Sequence, residues 1–347
     1  MPVRQALVVS LLAALALPAT AFARVDAGSP APLYGFQTRA AQQAVAARLS
    51  QASGFTGGPV TASDGEQVTV YVDDTLAAAD PTIGQRWADI VAGLVHGPEI
   101  STVQIYVASL PQVQQTCGRG ALGCYGGNRL ITIADDAAGI TAQAVLTHEY
   151  GHHVAQSRDN SPWPSVDYGP KRWSTVVGVC SRAASGELAP GDEGVRYTLN
   201  PGEAFAEDYR VLNERREGIP ETAWGVVDPR FYPDQAALDA VALDVTSPWT
   251  GPTSAAIHSS LTPHGTGRGF PVSTPLDGTF SVTLLSPRKS RFTLRLVDPA
   301  TKKELASLSG PDTTKTLQAN VCGQRTIQVQ VKRVAGSGPF TLTVSEP

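Results

Sequence analysis

His148, Glu149 and His152 stand together in the run HEYGHH at 148–153. In an α-helix, residues i and i+4 share a face about one turn apart, so the two imidazoles can grip one tetrahedral metal ion. Glu149, beside the first imidazole, aims its carboxylate at a water held on that metal. The H-E-x-x-H spacing therefore suits hydrolysis: the metal brings the pKa of its water near neutrality, and the glutamate takes the proton as water attacks a carbonyl. The bland alternative is a chance match on a solvated helix. Against it stand the apolar flanks Val145, Leu146 and Val154 and the strand-like run RLITIA upstream. Gly151 costs the helix about 1 kcal/mol in propensity, and close packing near the metal would explain its presence.

A catalytic metal needs a third protein ligand and an open position. The extended pattern H-E-x-x-H-x-x-G-x-x-H fails here, because its glycine and last histidine fall on Ala155 and Arg158. The other solution is a glutamate on a later helix. Glu203 and Glu207 lie at i and i+4, so one carboxylate can ligate while the other hydrogen-bonds a ligand imidazole. Asp208 and the distant His96, His258 and His264 are competitors, each with a plain reading as a solvated or structural residue. His153 points roughly 100° away from its neighbour on the helix and is expected to pack or hydrogen-bond locally. Tyr197, six residues before Glu203, is either a donor to a tetrahedral oxyanion or a structural tyrosine. Tyr150 reads as a packing residue.

These pieces resemble the gluzincins, zinc peptidases with two histidines from H-E-x-x-H and a glutamate from a second helix. The matching segments are HEYGHH at 148–153 and NPGEAFAEDYR at 200–210, the latter similar to an E-x-F-A-E form of the third-ligand helix. The resemblance implies Zn2+ as cofactor, held by His148, His152 and Glu203, with Glu149 as base and Glu207 behind a ligand imidazole. It also implies a protein or peptide substrate. The chain departs from the family pattern at His153, which takes a usually apolar slot, and in the spacing of about 50 residues between the two motifs.

The elements that must position these residues follow from periodicity. A helical stretch is expected over 38–50, strands over 67–72 (QVTVYV) and 103–107 (VQIYV), and an amphipathic helix over 83–95. After the turn Gly126-Gly127-Asn128 comes a strand over 129–134, then the motif helix over 141–156 with Thr141 as N-cap. Residues 160–170 read as loop and 203–216 as helix. Beyond Trp249 the pattern changes to short alternating runs (TFSVTLL, RFTLRLV, KTLQANV, TIQVQVKRV, PFTLTV), which describe a small antiparallel β-sandwich. That stretch, 278–344, resembles the bacterial pre-peptidase C-terminal domain. It suits substrate or polysaccharide binding, a secretion aid or a passive appendage, and no cluster of aromatics marks a sugar platform. The fold class expected is an α+β zincin-like catalytic domain followed by a small all-β sandwich domain. Its divisions are 1–23, signal peptide; 24–65, N-terminal segment or pro-region; 66–249, metallopeptidase domain; and 250–347, linker and sandwich.

The N-terminus carries Arg4, an apolar run over 6–17 too short to span a bilayer, and Ala21-Phe22-Ala23 as a cleavage signal. A secreted, monomeric protein without a membrane span after cleavage is the expectation. Net charge is −4 with no basic run, which excludes nucleic acid as a partner. Four cysteines in an oxidising compartment allow three pairings. A local staple Cys117–Cys124 across a glycine-rich loop leaves Cys180 and Cys322 to pair by elimination. No D-x-D-x-D-G loop speaks for calcium. Two rival functions stay open: a cell-surface binding protein with a structural or vestigial zinc site, and a zinc amidase acting on cell-wall peptides.

Overall fold

The structure, a computed structural model, describes residues 35–347. The leader expected at 1–23 lies outside the described residues. In chain order the first elements are α1 (Gly35–Ser50), β1 (Phe55–Thr61), β2 (Gln67–Asp73), α2 (Asp74–Ala79), α3 (Ile83–Gly93), β3 (Gln104–Ala108), α4 (Leu110–Cys117), β4 (Gly123–Gly126), β5 (Arg129–Ile133) and α5 (Ala142–Gln156). There follow α6 (Ser165–Tyr168), α7 (Lys171–Val177), α8 (Val179–Ala184), α9 (Pro201–Glu217) and α10 (Gln235–Thr246).

Five strands form one mixed sheet in the order β1-β2-β3-β5-β4. β2, β3 and β5 run parallel, while β1 and β4 are antiparallel to their neighbours at the two edges. β2 alternates as its sequence dictates, with Val68, Val70 and Val72 buried. β3 and β5 are covered on both faces, as central parallel strands should be. α3 packs Ile83, Trp87, Ala88 and Val91 onto this sheet. The segment 24–65, read from sequence as one N-terminal piece, is divided: its second half is β1, hydrogen-bonded to β2 along seven residue pairs, and belongs to the sheet. Residues 160–170, expected as loop, contain the short helix α6.

β4 and β5 form a hairpin whose turn residues Gly127 and Asn128 both have positive φ, 54° and 64°, the backbone a two-residue hairpin needs to match strand twist. α5 begins at Thr141, whose side chain accepts from the Ala144 N–H. α9 begins at Asn200, which accepts from the Gly202 N–H, with Pro201 in its first turn, and ends at Gly218 in the left-handed region. α5 and α9 pack against each other as the two central helices.

The rest of the chain supplies eight strands: β6 (Thr253–Leu261), β7 (Gly267–Thr274), β8 (Gly278–Leu285), β9 (Arg291–Val297), β10 (Glu304–Leu308), β11 (Thr314–Val321), β12 (Arg325–Ala335) and β13 (Gly338–Glu346). They make two four-stranded antiparallel sheets, β10-β9-β12-β7 and β11-β8-β13-β6, closed over Phe280, Phe292, Phe340 and a shell of Leu and Val. The first apolar core draws on residues 45–245 and the second on 261–344.

Covalent and polar ties join the two. Both disulfides are formed, Cys117–Cys124 and Cys180–Cys322. Beside the second, the Lys171 ammonium donates to the carbonyls of Ser161 (2.5 Å) and Asp277 (3.1 Å) and lies 4.4 Å from the centre of the Trp249 ring. Its burial lowers its pKa to about 8. The Asp277 N–H donates to Thr175 Oγ1 at 3.0 Å. A cross-link spanning 142 residues constrains the unfolded chain strongly, so Cys180→Ser with Cys322→Ser is expected to cost about 2–5 kcal/mol. The denaturant midpoint reads this, and a midpoint equal to wild type would show that the clasp adds nothing.

Candidate metal centre

His148 and His152 sit on the same face of α5, their rings 5.0 Å apart and nearly perpendicular. α9 brings Glu203 to them: its Oε2 lies 3.2 Å from His148 Nε2 and 3.5 Å from His152 Nε2. One ligand atom from each of the three side chains falls within 4.8 Å of the others. Bonds of about 2.0–2.1 Å to a tetrahedral ion imply ligand–ligand edges of about 3.3 Å, so the cluster has the size and the N,N,O donor set of a divalent-metal site. Among the described residues this is the group of that kind.

Helix packing explains how the carboxylate gets so close. A Cβ on Gly151 would stand 2.8 Å from Ala206 Cα and 3.2 Å from its Cβ, so the glycine lets α5 and α9 approach backbone to backbone. Gly151→Ala would gain about 1 kcal/mol of helix propensity yet is expected to lose about 1–3 kcal/mol to overpacking. A lowered Tm together with weakened metal binding is the expected result; an unchanged Tm would mean that the helices separate freely.

Glu207, one turn beyond Glu203, places Oε2 3.5 Å from His148 Nδ1. Arg210 holds it from behind through Nε (2.9 Å) and Nη2 (2.5 Å), and also pairs with Glu214. Glu214 accepts from the Thr222 N–H at 3.0 Å and its hydroxyl at 2.8 Å, while Arg210 Nη2 donates to the Thr222 carbonyl at 3.0 Å. The loop so fixed carries Trp224, whose ring packs 5.0 Å from His148. Buried charges persist only when paired in this way. Tyr197, from the turn before α9, donates its hydroxyl to Glu203 Oε2 at 2.5 Å.

Electrostatics follow from this crowding. Burial works against a charged His148, but Glu203 and Glu207 outweigh it and raise its pKa to about 10. Burial likewise opposes the Glu203 carboxylate, and His152 and His148 overcome it, holding that carboxyl well below the usual range. Glu149 moves upward: burial dominates over the pull of His148 and His152. Burial also pushes the Tyr197 hydroxyl up.

Glu149, His152, Tyr197 and Glu203 line a cavity of about 160 Å³, to whose walls β4, α1 and Val166 also contribute. Gly123 of β4 admits the Glu149 carboxylate; a Cβ there would meet Glu149 Cγ and Oε1 at 2.9 Å. The competitors lie elsewhere. Asp208 accepts from Trp173 Nε1 at 2.6 Å, His96 bonds the Gly97 carbonyl, and His258 and His264 are exposed in the second domain. His153 packs, as expected, against the rings of Tyr150 and Tyr125 at 5.6 and 5.7 Å, while its hydrogen bonds run to distant chain: Nδ1 accepts from Tyr125 and Nε2 donates to the Glu99 carbonyl, 54 positions away. Burial lowers its pKa, which suits a neutral ring. Sequence reasoning missed β4, α1 and Trp224 as parts of the site. For β4 a signal existed: the Gly126-Gly127-Asn128 turn implied a partner strand just before it.

No family model matches the chain, and no curated protein matches it. Among solved structures, it is similar to the pre-peptidase C-terminal domain of a collagenase from Bacillus anthracis, at 14% identity and a TM-score of 0.24, over 26% of this chain and 88% of that one. It is also similar to the Yersinia pseudotuberculosis-derived mitogen, at 12% identity and a TM-score of 0.23, over 28% and 87%. A periplasmic inhibitor of g-type lysozyme from Aeromonas hydrophila matches at 16% identity and a TM-score of 0.22, over 27% and 87%. At these scores the likenesses decide nothing about function.

Proposed function

We propose that the protein is a secreted zinc metalloendopeptidase. The observation that carries this reading is the meeting of His148, His152 and Glu203 within 4.8 Å beside a cavity that Glu149 also lines. Structural zinc sites are closed by four protein ligands, whereas catalytic ones keep three and an open position. Three ligands and an adjoining cavity favour the second kind over a structural or vestigial site. Zinc bound there supplies a Lewis acid and a water with a pKa near neutrality.

The chain's own groups then do the rest. Glu149 accepts the proton of the attacking water and returns it to the leaving amine as the peptide C–N bond breaks. Tyr197 orients the Glu203 carboxylate by its hydrogen bond. Glu207, held by Arg210, fixes the His148 ring from its Nδ1 side. Two disulfides fit export to an oxidising compartment, and no described helix is long and apolar enough to cross a membrane.

Metal analysis of the purified protein is expected to find one zinc per chain. A chelator should abolish casein digestion, and added zinc should restore it. Release of muropeptides with no protein cleavage would favour the cell-wall amidase instead. A metal-free protein that keeps its fold and cleaves nothing would overturn the proposal.

A further inference from the structure

His152 and Glu203 of the ligand triad face a cavity of about 160 Å³, well under the ~300–1,000 Å³ of ordinary ligand sites. α1 forms one of its walls, through Ala41, Gln42 and Val45. On the same helix, Gln42, Gln43 and Ala46 line a second cavity of about 420 Å³ that also touches Gly127 and Trp163. Gln42 and Val166 border both spaces. Further along, Arg48 lines a third, of about 390 Å³, with Gln112 and Thr116. α1 thus lies in a trough with room on several sides.

Two side chains tie it to the apolar core. From residue 40 to its end the helix buries Val45 and Leu49 and no other side chain. Arg48 Nη1 donates to the Thr116 carbonyl at 2.5 Å. The contact with β4 depends on a missing side chain: a Cβ on Gly126 would stand 2.1 Å from the Gln42 carbonyl oxygen. Residues 51–54, between α1 and β1, are all exposed, so the helix can be severed from the sheet without cutting any strand.

We infer that α1 is a removable plug occupying the substrate trough, and that the protein folded as described is a latent form. Departure of α1 joins the two cavities that Gln42 borders into one groove along β4, open to Glu149, His152 and Glu203. An extended polypeptide, rather than a small molecule, is the substrate such a groove admits. Hydrolysis of one peptide bond within 51–54 consumes one water and leaves a carboxylate on the α1 segment and an amine before β1. The inference rests on the peptidase reading for its substrate, but not for its test.

The recognition sequence of a site-specific serine protease is placed at 51–54 in the full chain, which is loaded with zinc and compared before and after cutting. Gel filtration should show the α1 segment leaving the cut protein. Extraction of zinc by a chromogenic chelator and digestion of casein should both accelerate at least tenfold. Gly126→Ala, left uncut, should raise both rates in part, by driving the Gln42 backbone off β4; a merely structural helix would instead give a less stable protein with lower rates. The inference is overturned if α1 stays bound after cutting, if the rates do not change, or if cutting unfolds the protein. Faster zinc extraction without casein cleavage in either form keeps the plug and sinks the peptidase. Equal casein digestion by both forms does the reverse, and a protein that releases α1 yet binds no zinc leaves a plug over a site of another kind.

Discussion

Glu149→Gln is expected to leave one zinc bound per chain while lowering casein hydrolysis by about 10²–10⁴-fold, the usual worth of a positioned general base. The amide keeps the shape that fits between Gly123 and the cavity but cannot take a proton. The carboxyl contributes no ligand to the His148–His152–Glu203 group, so metal content measures a different set of residues from activity. Burial raises the Glu149 pKa, toward the operating pH where a base is most effective. Hydrolysis should therefore fall on the acid side as this group becomes protonated. In the Glu149→Gln protein that limb should vanish from whatever activity remains. Retained activity at the wild-type rate would remove Glu149 from the chemistry and leave a metal-binding protein.

Glu203→Ala is expected to have the larger effect on the metal. Removing an outer partner of a ligand costs about 10–100-fold in affinity; that is the size expected for Glu207→Gln, which weakens the contact with His148 Nδ1. Loss of a ligand itself should exceed it, taking zinc affinity down more than about 100-fold and hydrolysis with it. Zinc titration against a competing chelator separates the two variants, with far-ultraviolet circular dichroism to show that α9 persists. Tyr197→Phe removes only the hydroxyl donated to Glu203 and should fall in the milder class. If Glu207→Gln proves more damaging to zinc binding than Glu203→Ala, the two carboxylates have exchanged roles.

The parts of the centre legible in the sequence were those fixed by helix geometry. The spacing of His148 and His152 dictates a shared face wherever that segment is helical, and Gly151 stood out as a cost needing a reason, which Ala206 supplies. Glu203 needed more, since nothing local ties it to a helix 55 residues earlier; a family resemblance pointed to it. The charges at 207, 210 and 214 have the spacing of a solvated helix face, yet Arg210 is wholly buried and Glu207 with it. Only the tertiary setting distinguishes the two cases. α4 was missed although Ser109 and Gln112 form a capping box, a signal that was present and unread. The walls of the cavity were illegible for another reason. Ala41, Gln42 and Gly123 carry no chemistry of their own, and they matter only through the distant chain they touch.

The separation of the cysteine partners bears on how the chain matures. Closing a loop costs more entropy as it lengthens, so the Cys117–Cys124 pair, seven positions apart, is favoured to form before the Cys180–Cys322 pair, 142 positions apart. Once formed, the short staple withdraws the two rivals with which Cys180 could mispair. Correct oxidation is thereby a matter of order as much as geometry.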